Sequence, residues 1–211
     1  MSGSTIEREG YEVVVARTAA EVEELRPLKD ALGPGNLMSD LDWFLTTVEH
    51  DPRAERPHVI AVSRDGEVQG MVVARLQEIR LRCRIGYRKL YEPPLKVVSV
   101  VHGGMLGPLL GESPQTLLSA LTSSVRRGEV DAINMPSVRI GSPVSDAVAA
   151  MAGKGRRSTM PPRTHWRTSV PSSFDEFLAQ LSSSTRQGVK RYAKKLEADP
   201  ARLAQDLDAN W

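Results

Sequence analysis

Cysteine is nearly absent: Cys83 stands alone among 211 residues, so no intramolecular disulfide can form. A reducing, cytoplasmic setting is the expectation that follows. Aromatic residues make up only 5% of the chain, too few for a platform on which nucleic-acid bases would stack. No run approaches the roughly 18 apolar residues of a membrane-spanning helix. Met1 to Gly10 is polar and acidic, without the apolar core of a secretory signal. Neither a Gly-x-x-x-x-Gly-Lys-Ser/Thr loop nor a Gly-x-Gly-x-x-Gly fingerprint occurs. His50, His58, His102 and His165 have no metal-ligand spacing among themselves or with Cys83.

What is present is an ordinary globular composition, 40% hydrophobic and 26% charged, long enough to bury a core. The net charge of +2 hides an uneven distribution. Residues 1–60 hold 6 basic against 12 acidic side chains, whereas residues 75–96 hold 7 against 2.

Periodicity predicts alternating strands and helices. Residues 1–10 read as a flexible leader, and Tyr11 to Arg17 as a strand. Thr18 and Glu21 form a capping box that opens a helix to about Leu32, kinked or restarted at Pro27. Ser39 or Asp40 caps a second helix that places Leu41, Phe44, Leu45 and Val48 on one face. His58 to Val62 and Val68 to Leu76 make a hairpin about Asp65-Gly66. Residues 79–85 alternate Ile79, Leu81, Cys83 and Ile85 with three arginines. That is the pattern of a half-buried strand with Cys83 as a packed thiol and Arg80, Arg82 and Arg84 covering the other face. A strand over 96–101 leads into a Gly-rich loop over 102–112. Ser113-Pro114 starts a helix to about Arg127. A short buried strand follows at Val130 to Met135, a helix over 142–152, a polar loop to Arg163 and a strand from His165 to Val170. Ser173 with Glu176 caps one more helix. A basic helix over 185–198 ends before Pro200.

Two loops invite comparison with phosphate cradles. Ala150 to Gly155 ends in Gly-x-Gly, but Arg156 to Pro162 cannot start a long helix, and a turn after a helix fits better. Gly103, Gly104 and Gly107, led by His102, read more naturally as a strand-end turn than as a cradle, because Pro108 separates them from the next helix. His165 beside Trp166 reads as packing. No Ser-His-Asp arrangement emerges from spacing alone. The basic helix is the most distinctive local feature: residues 182–198 carry 5 basic groups and 1 acidic one. Val189, Tyr192, Ala193 and Leu196 form its apolar stripe. Arg186, Lys190 and Lys194 recur at i, i+4, i+8 on one face, widened by Arg191 and Lys195. They are candidates for holding an anionic substrate, and a solvated helix face is the plain alternative.

Four segments in this order carry a resemblance: LRPLKDAL at 25–32, SDLDWFLTTVE at 39–49, HVIAVSRDGEVQGMVVARL at 58–76, and HWRTSVPSSFDEFLAQLSSSTRQGVKRYAKKLEAD at 165–199. Together they resemble the GNAT-type acyltransferases of the BioF2-like (CelD-like, FemAB-related) group, and the likeness is to the N-terminal half. The resemblance implies an α/β (α+β) GNAT-like domain over 11–171, with a central, largely antiparallel mixed sheet and helices on both faces. It also implies a basic helical linker region over 172–199 and a short tail over 200–211. Its implied activity is transfer of an acyl group from acetyl-CoA or another acyl-CoA to an amine on a small molecule or cell-envelope precursor. In such proteins a second half carries the acyl-CoA site. The chain ends soon after the linker, so the expectation is an acceptor-side half that does not hold CoA by itself, with Arg186, Lys190, Arg191 and Lys194 on the anionic acceptor.

Three function classes compete. Acyl transfer from a thioester to an amine needs only a general base and an oxyanion donor, so a missing nucleophile motif leaves it open. A non-catalytic GNAT-like scaffold or ligand-binding module would follow from loss of the CoA-binding half. The apolar side of helix 185–198 would then be covered by a homodimer partner or by that second half. Nucleic-acid binding is disfavoured by few aromatics, near-neutral charge and no recognisable motif.

Overall fold

The structure, a computed structural model, describes residues 4–8, 10–151, 164 and 171–198. The chain divides into two units, Met1–Ser158 and Thr159–Trp211.

The first unit is built on one six-stranded sheet. In chain order it contains β1 (Ser4–Arg8), β2 (Tyr11–Ala16), α1 (Ala19–Glu24), α2 (Arg26–Ala31), α3 (Leu41–His50), β3 (Ala54–Arg64) and β4 (Glu67–Arg80). After these come β5 (Cys83–Ile85), β6 (Arg88–Tyr91), β7 (Pro94–Leu106), α4 (Ser113–Arg126), β8 (Ala132–Asn134) and α5 (Pro143–Met151). The sheet order is β1-β2-β3-β4-β7-β8. Every pairing is antiparallel except β7 with β8, which are parallel. Helix α4 supplies the crossover that a parallel pair requires.

Alternation along the strands assigns the two faces. Val14, Ala16, Val59, Ala61, Met71 and Val73 pack with Val22, Leu25, Leu41 and Phe44 from α1–α3. Val13, Val15, Ile60, Val62, Val72 and Ala74 pack with residues such as Leu117, Leu118 and Leu121 of α4 and Ala147 of α5. The fold is therefore a mixed α/β layer structure, largely antiparallel, with helices on both faces of the sheet.

The local signals act as their chemistry requires. Thr18 Oγ1 accepts from the Glu21 amide at 3.2 Å, and the Thr18 amide donates in return to Glu21 Oε2 at 3.1 Å. The helix restarts at Arg26 with Pro27 in its first turn, where a missing N–H costs nothing. Asp40 Oδ1 accepts from the amides of Asp42 and Trp43, capping α3. Asp65 (φ 53°) and Gly66 (φ 80°) turn the β3–β4 hairpin through the left-handed region.

Three expectations change. Ser4–Arg8, expected in a flexible leader, pair with β2 as an edge strand. The alternating stretch 79–85 is not one half-buried strand. β4 ends at Arg80, and β5 and β6 form a separate two-stranded ribbon in which Leu81 is 48% and Ile85 72% exposed. Period 2 is there, but no second layer among the described residues covers it, so Cys83 is part-buried on the ribbon rather than a core thiol. Finally, β7 runs on through 102–106, which read as loop because glycine is usually unfavourable in a strand.

In the second unit, α6 (Phe174–Gln180) is capped by Ser173, whose Oγ accepts from the Glu176 amide at 3.2 Å. It is followed by α7 (Ser183–Ala198), the basic helix. The strand expected at 165–170, the Ala150–Gly155 turn beyond Met151 and the tail after Ala198 lie outside the described residues.

Candidate functional site

Strand β7 changes character halfway along. Up to Ser99 it has neighbours on both edges: β4 on one side and, from Val97 to Ser99, β8 on the other. The Asn134 Nδ2 bond to Ser99 Oγ, 3.1 Å long, marks the end of the parallel pairing. Beyond it the chain after β8 leaves the sheet, and β7 continues without that neighbour. On the β4 side the register jumps: Ala74 faces Val100, but Val72 faces Met105. Residues 101–104 of β7 thus lie opposite the single residue Val73, a wide bulge. Bulges of this kind re-aim side chains and are frequent beside functional sites.

The glycines explain how the bulge closes. Gly103 has φ +65°, and a Cβ on it would lie 1.8 Å from Asn36 Nδ2. A Cβ on Gly104 would lie 2.6 Å from the Val73 carbonyl oxygen. Farther on, Gly107 has φ +92°, and its Cβ would lie 2.9 Å from Gly70 Cα on β4. These glycines allow backbone to pass close to backbone and side chain. Gly103 and Gly104 thus sit in a bulge within β7, not in the strand-end turn expected of them, and only Gly107 lies past the end of the strand. The start of α4 also suits an anion poorly: its N-cap is Glu112, which makes no side-chain cap bond, and Pro114 removes an amide donor from the first turn.

The bulge presents His102. Its carbonyl accepts from Asn36 Nδ2 at 3.1 Å, and Asn36 Oδ1 in turn accepts from the Ser39 amide. The His102 ring reaches across the opening between β7 and the chain after β8. There Nδ1 lies 2.8 Å from Ser137 Oγ. Ser137 has φ +65°, a left-handed conformation that a serine holds only when its surroundings enforce it. Three segments far apart in sequence thus converge on one exposed serine–imidazole pair. A hydroxyl whose proton can pass to an imidazole at 2.8 Å is equipped to relay a proton. The two elements of this site visible in the sequence were the Gly-rich segment and His102. Ser137 carried no signal, because it lies in an undistinguished turn.

A second polar cluster sits near the end of β2, on the α4 side of the sheet. Glu129 accepts from Arg127 Nε at 2.6 Å and lies 3.7 Å from Arg17. The Arg127 bond is the largest cause that holds the Glu129 carboxyl below its usual range. His58 on β3 is 1% exposed, and its Nδ1 is 3.5 Å from Arg56 Nη1. Burial first, then the nearby Arg56 and Arg17 charges, push its pKa down to about 4, so the ring is neutral. Burial likewise lowers the Arg56 value. This group joins α4 to the sheet.

The candidates on α7 are placed as follows. Arg186 turns back, its Nη2 donating to the carbonyls of Ala179 (3.3 Å) and Leu181 (3.1 Å), and so closes the end of α6. Lys190, Arg191 and Lys194 are exposed, with the Arg191 guanidinium 5.5 Å from the Tyr192 ring centroid. The structure thus sets Arg186 apart from the three exposed cations. Among the described residues no group of three His, Cys, Asp or Glu side chains could hold a metal ion. No described helix is long and apolar enough to cross a membrane.

No protein-family model matches the chain, and no curated protein is similar to it in sequence. Among solved structures, a ribosomal-protein-alanine N-acetyltransferase from Brucella melitensis biovar Abortus is 13% identical, with a TM-score of 0.41, covering 74% of this chain and 99% of that one. An aminoglycoside N-acetyltransferase in complex with CoA is 13% identical, with a TM-score of 0.42, covering 76% and 100%. A GNAT family acetyltransferase from Staphylococcus aureus is 12% identical, with a TM-score of 0.37, covering 74% and 98%.

Proposed function

We propose that this chain is a GNAT-type N-acyltransferase module of the BioF2-like, FemAB-related kind that works on the acceptor side of the reaction. The observation that carries this reading is the Ser137–His102 pair at the opening between β7 and β8. An amine bound there would attack the carbonyl carbon of a thioester. The new C–N bond forms as the C–S bond breaks. The amine proton passes to Ser137 Oγ while the serine proton moves to His102 Nδ1, and the departing thiolate is protonated from solvent.

In the second unit, taken by itself, Lys190, Arg191 and Lys194 are the groups we assign to a phosphate-bearing ligand. Arg186 enters this set only through the position it gives α7. Glu112 and Pro114 at the start of α4 disfavour a pyrophosphate there, so the donor would be recognised by its thioester end. Acetyl-pantetheine should then replace acetyl-CoA with kcat/KM within about tenfold, the nucleotide adding little.

The test measures release of free thiol from either donor with a panel of amino sugars and aminoacyl amides. Ser137→Gly is the informative variant, because glycine accepts φ +65° without strain and removes only the hydroxyl. Ser137→Gly and His102→Ala should each lower kcat by about 10²-fold or more. Turnover unchanged in both variants refutes the relay. The same feature of α4 favours a second reading, a non-catalytic ligand-binding module. Absence of both turnover and donor-induced stabilisation in a chain that melts cooperatively would select it.

A further inference from the structure

We propose that the β5–β6 ribbon docks the protein on an anionic lipid bilayer. The ribbon prolongs the β4–β7 ladder past the edge of the main sheet, the last link being Leu81 N–H donating to the Pro93 carbonyl at 3.0 Å. Beyond that point, among the described residues, β5 and β6 pair only with each other. Nothing in the core fold needs such a projection. Its side chains are unsuited to plain water: Leu81 is 48%, Ile85 72%, Leu90 62% and Tyr91 65% exposed, and Tyr87, at the tip beside Gly86 (φ +57°), is fully exposed. Scattered single hydrophobes need no account, but five within eleven residues on one projection do.

The same segment is strongly cationic. Residues 80–92 hold five basic side chains, Arg80, Arg82, Arg84, Arg88 and Lys89, against the single acid Glu92. Glu92 bonds Arg82 at 3.1 Å and also accepts from Lys89, which fixes the base of the ribbon. Arg80 and Arg88 have no carboxylate partner among the described residues. Charge and apolarity together select the partner. Aliphatic side chains would gain nothing along a nucleic-acid backbone. In a bilayer interface they enter the acyl boundary while tyrosine sits at headgroup depth and arginine and lysine reach back to lipid phosphates. Near an anionic leaflet each cation multiplies affinity by about fivefold. A ribbon is a sufficient anchor for reversible binding, not for insertion.

The experiment is co-sedimentation of the 211-residue chain with vesicles of phosphatidylglycerol and phosphatidylcholine in equal parts, beside vesicles of phosphatidylcholine alone. Binding is expected to the first and not to the second, falling as salt is raised. The double variant Ile85→Ser, Leu90→Ser keeps every charge and should weaken binding at least about tenfold. Arg88→Glu should weaken it by at least the same factor. Both variants should melt like the parent, since the ribbon stands outside the core, so lost binding cannot be lost folding. Failure to sediment with anionic vesicles overturns the proposal, as does binding that ignores both variants. Binding to duplex DNA as tight as to vesicles, and indifferent to the Ile85→Ser, Leu90→Ser pair, would also overturn it and make the ribbon a general polyanion surface. None of these results depends on whether the protein transfers acyl groups.

Discussion

His58 offers the sharpest test of the energetics. It is 1% exposed, held neutral beneath α4 and beside Arg56, with Arg17 and Arg127 adding positive charge and Glu129 offsetting part of it. In the unfolded chain the imidazole takes a proton at about pH 6.5; in the folded protein it does so only at about pH 4. Between those values the unfolded state binds more protons, so stability is full above 6.5 and falls as the pH drops through 6.5 toward 4, levelling off below. From about pH 7.5 to about pH 5 the loss through this one group is about 2 kcal/mol. That interval lies mostly above the range where carboxylates titrate, so their contribution is small. Urea unfolding at the two pH values would measure the loss. His58→Leu cannot take up the proton, so it should lose about 2 kcal/mol less than the parent over the same interval, whatever its absolute stability. Equal losses in parent and variant would mean that the ring is not buried as neutral imidazole, and the packing described for this cluster would be refuted.

Two further outcomes follow from the same reasoning. Gly107→Ala places a Cβ 2.9 Å from Gly70 Cα at a φ of +92°, so it should lower stability by roughly 1–3 kcal/mol from backbone strain alone, as a shift in the urea midpoint would show. Asp40→Ala removes the cap of α3 and should cost about 1 kcal/mol, whereas Asp40→Asn should restore most of it. A fully stable Asp40→Ala would deny the cap its role.

Much of the architecture was legible in the sequence because it depends on neighbours a few residues apart. The capping box at Thr18, the Ser173 side-chain cap, the Asp65-Gly66 turn and the apolar spacing of Leu41 and Phe44 are short-range statements that hold where they were expected, except that the Glu176 carboxylate closes on Ser172 rather than on the Ser173 amide. The basic helix was equally legible, since its residues follow helical periodicity. Where reading failed, the missing quantity was a distant neighbour. Residues 79–85 have the alternation of a half-buried strand, yet alternation does not say whether a second layer exists to bury it. Gly103 and Gly104 look like loop until Asn36 and Val73 are known to press against them. The sequence by itself determined most of the elements, the charge distribution and the four cations Arg186, Lys190, Arg191 and Lys194 along the basic helix. Only the tertiary structure decided that Arg186 closes α6, that the side chains of the β5–β6 ribbon are left exposed, and that His102 meets Ser137. Those outcomes rest on contacts between segments separated along the chain, or on their absence, and such contacts are set by how the sheet registers and bulges rather than by any residue's local preference.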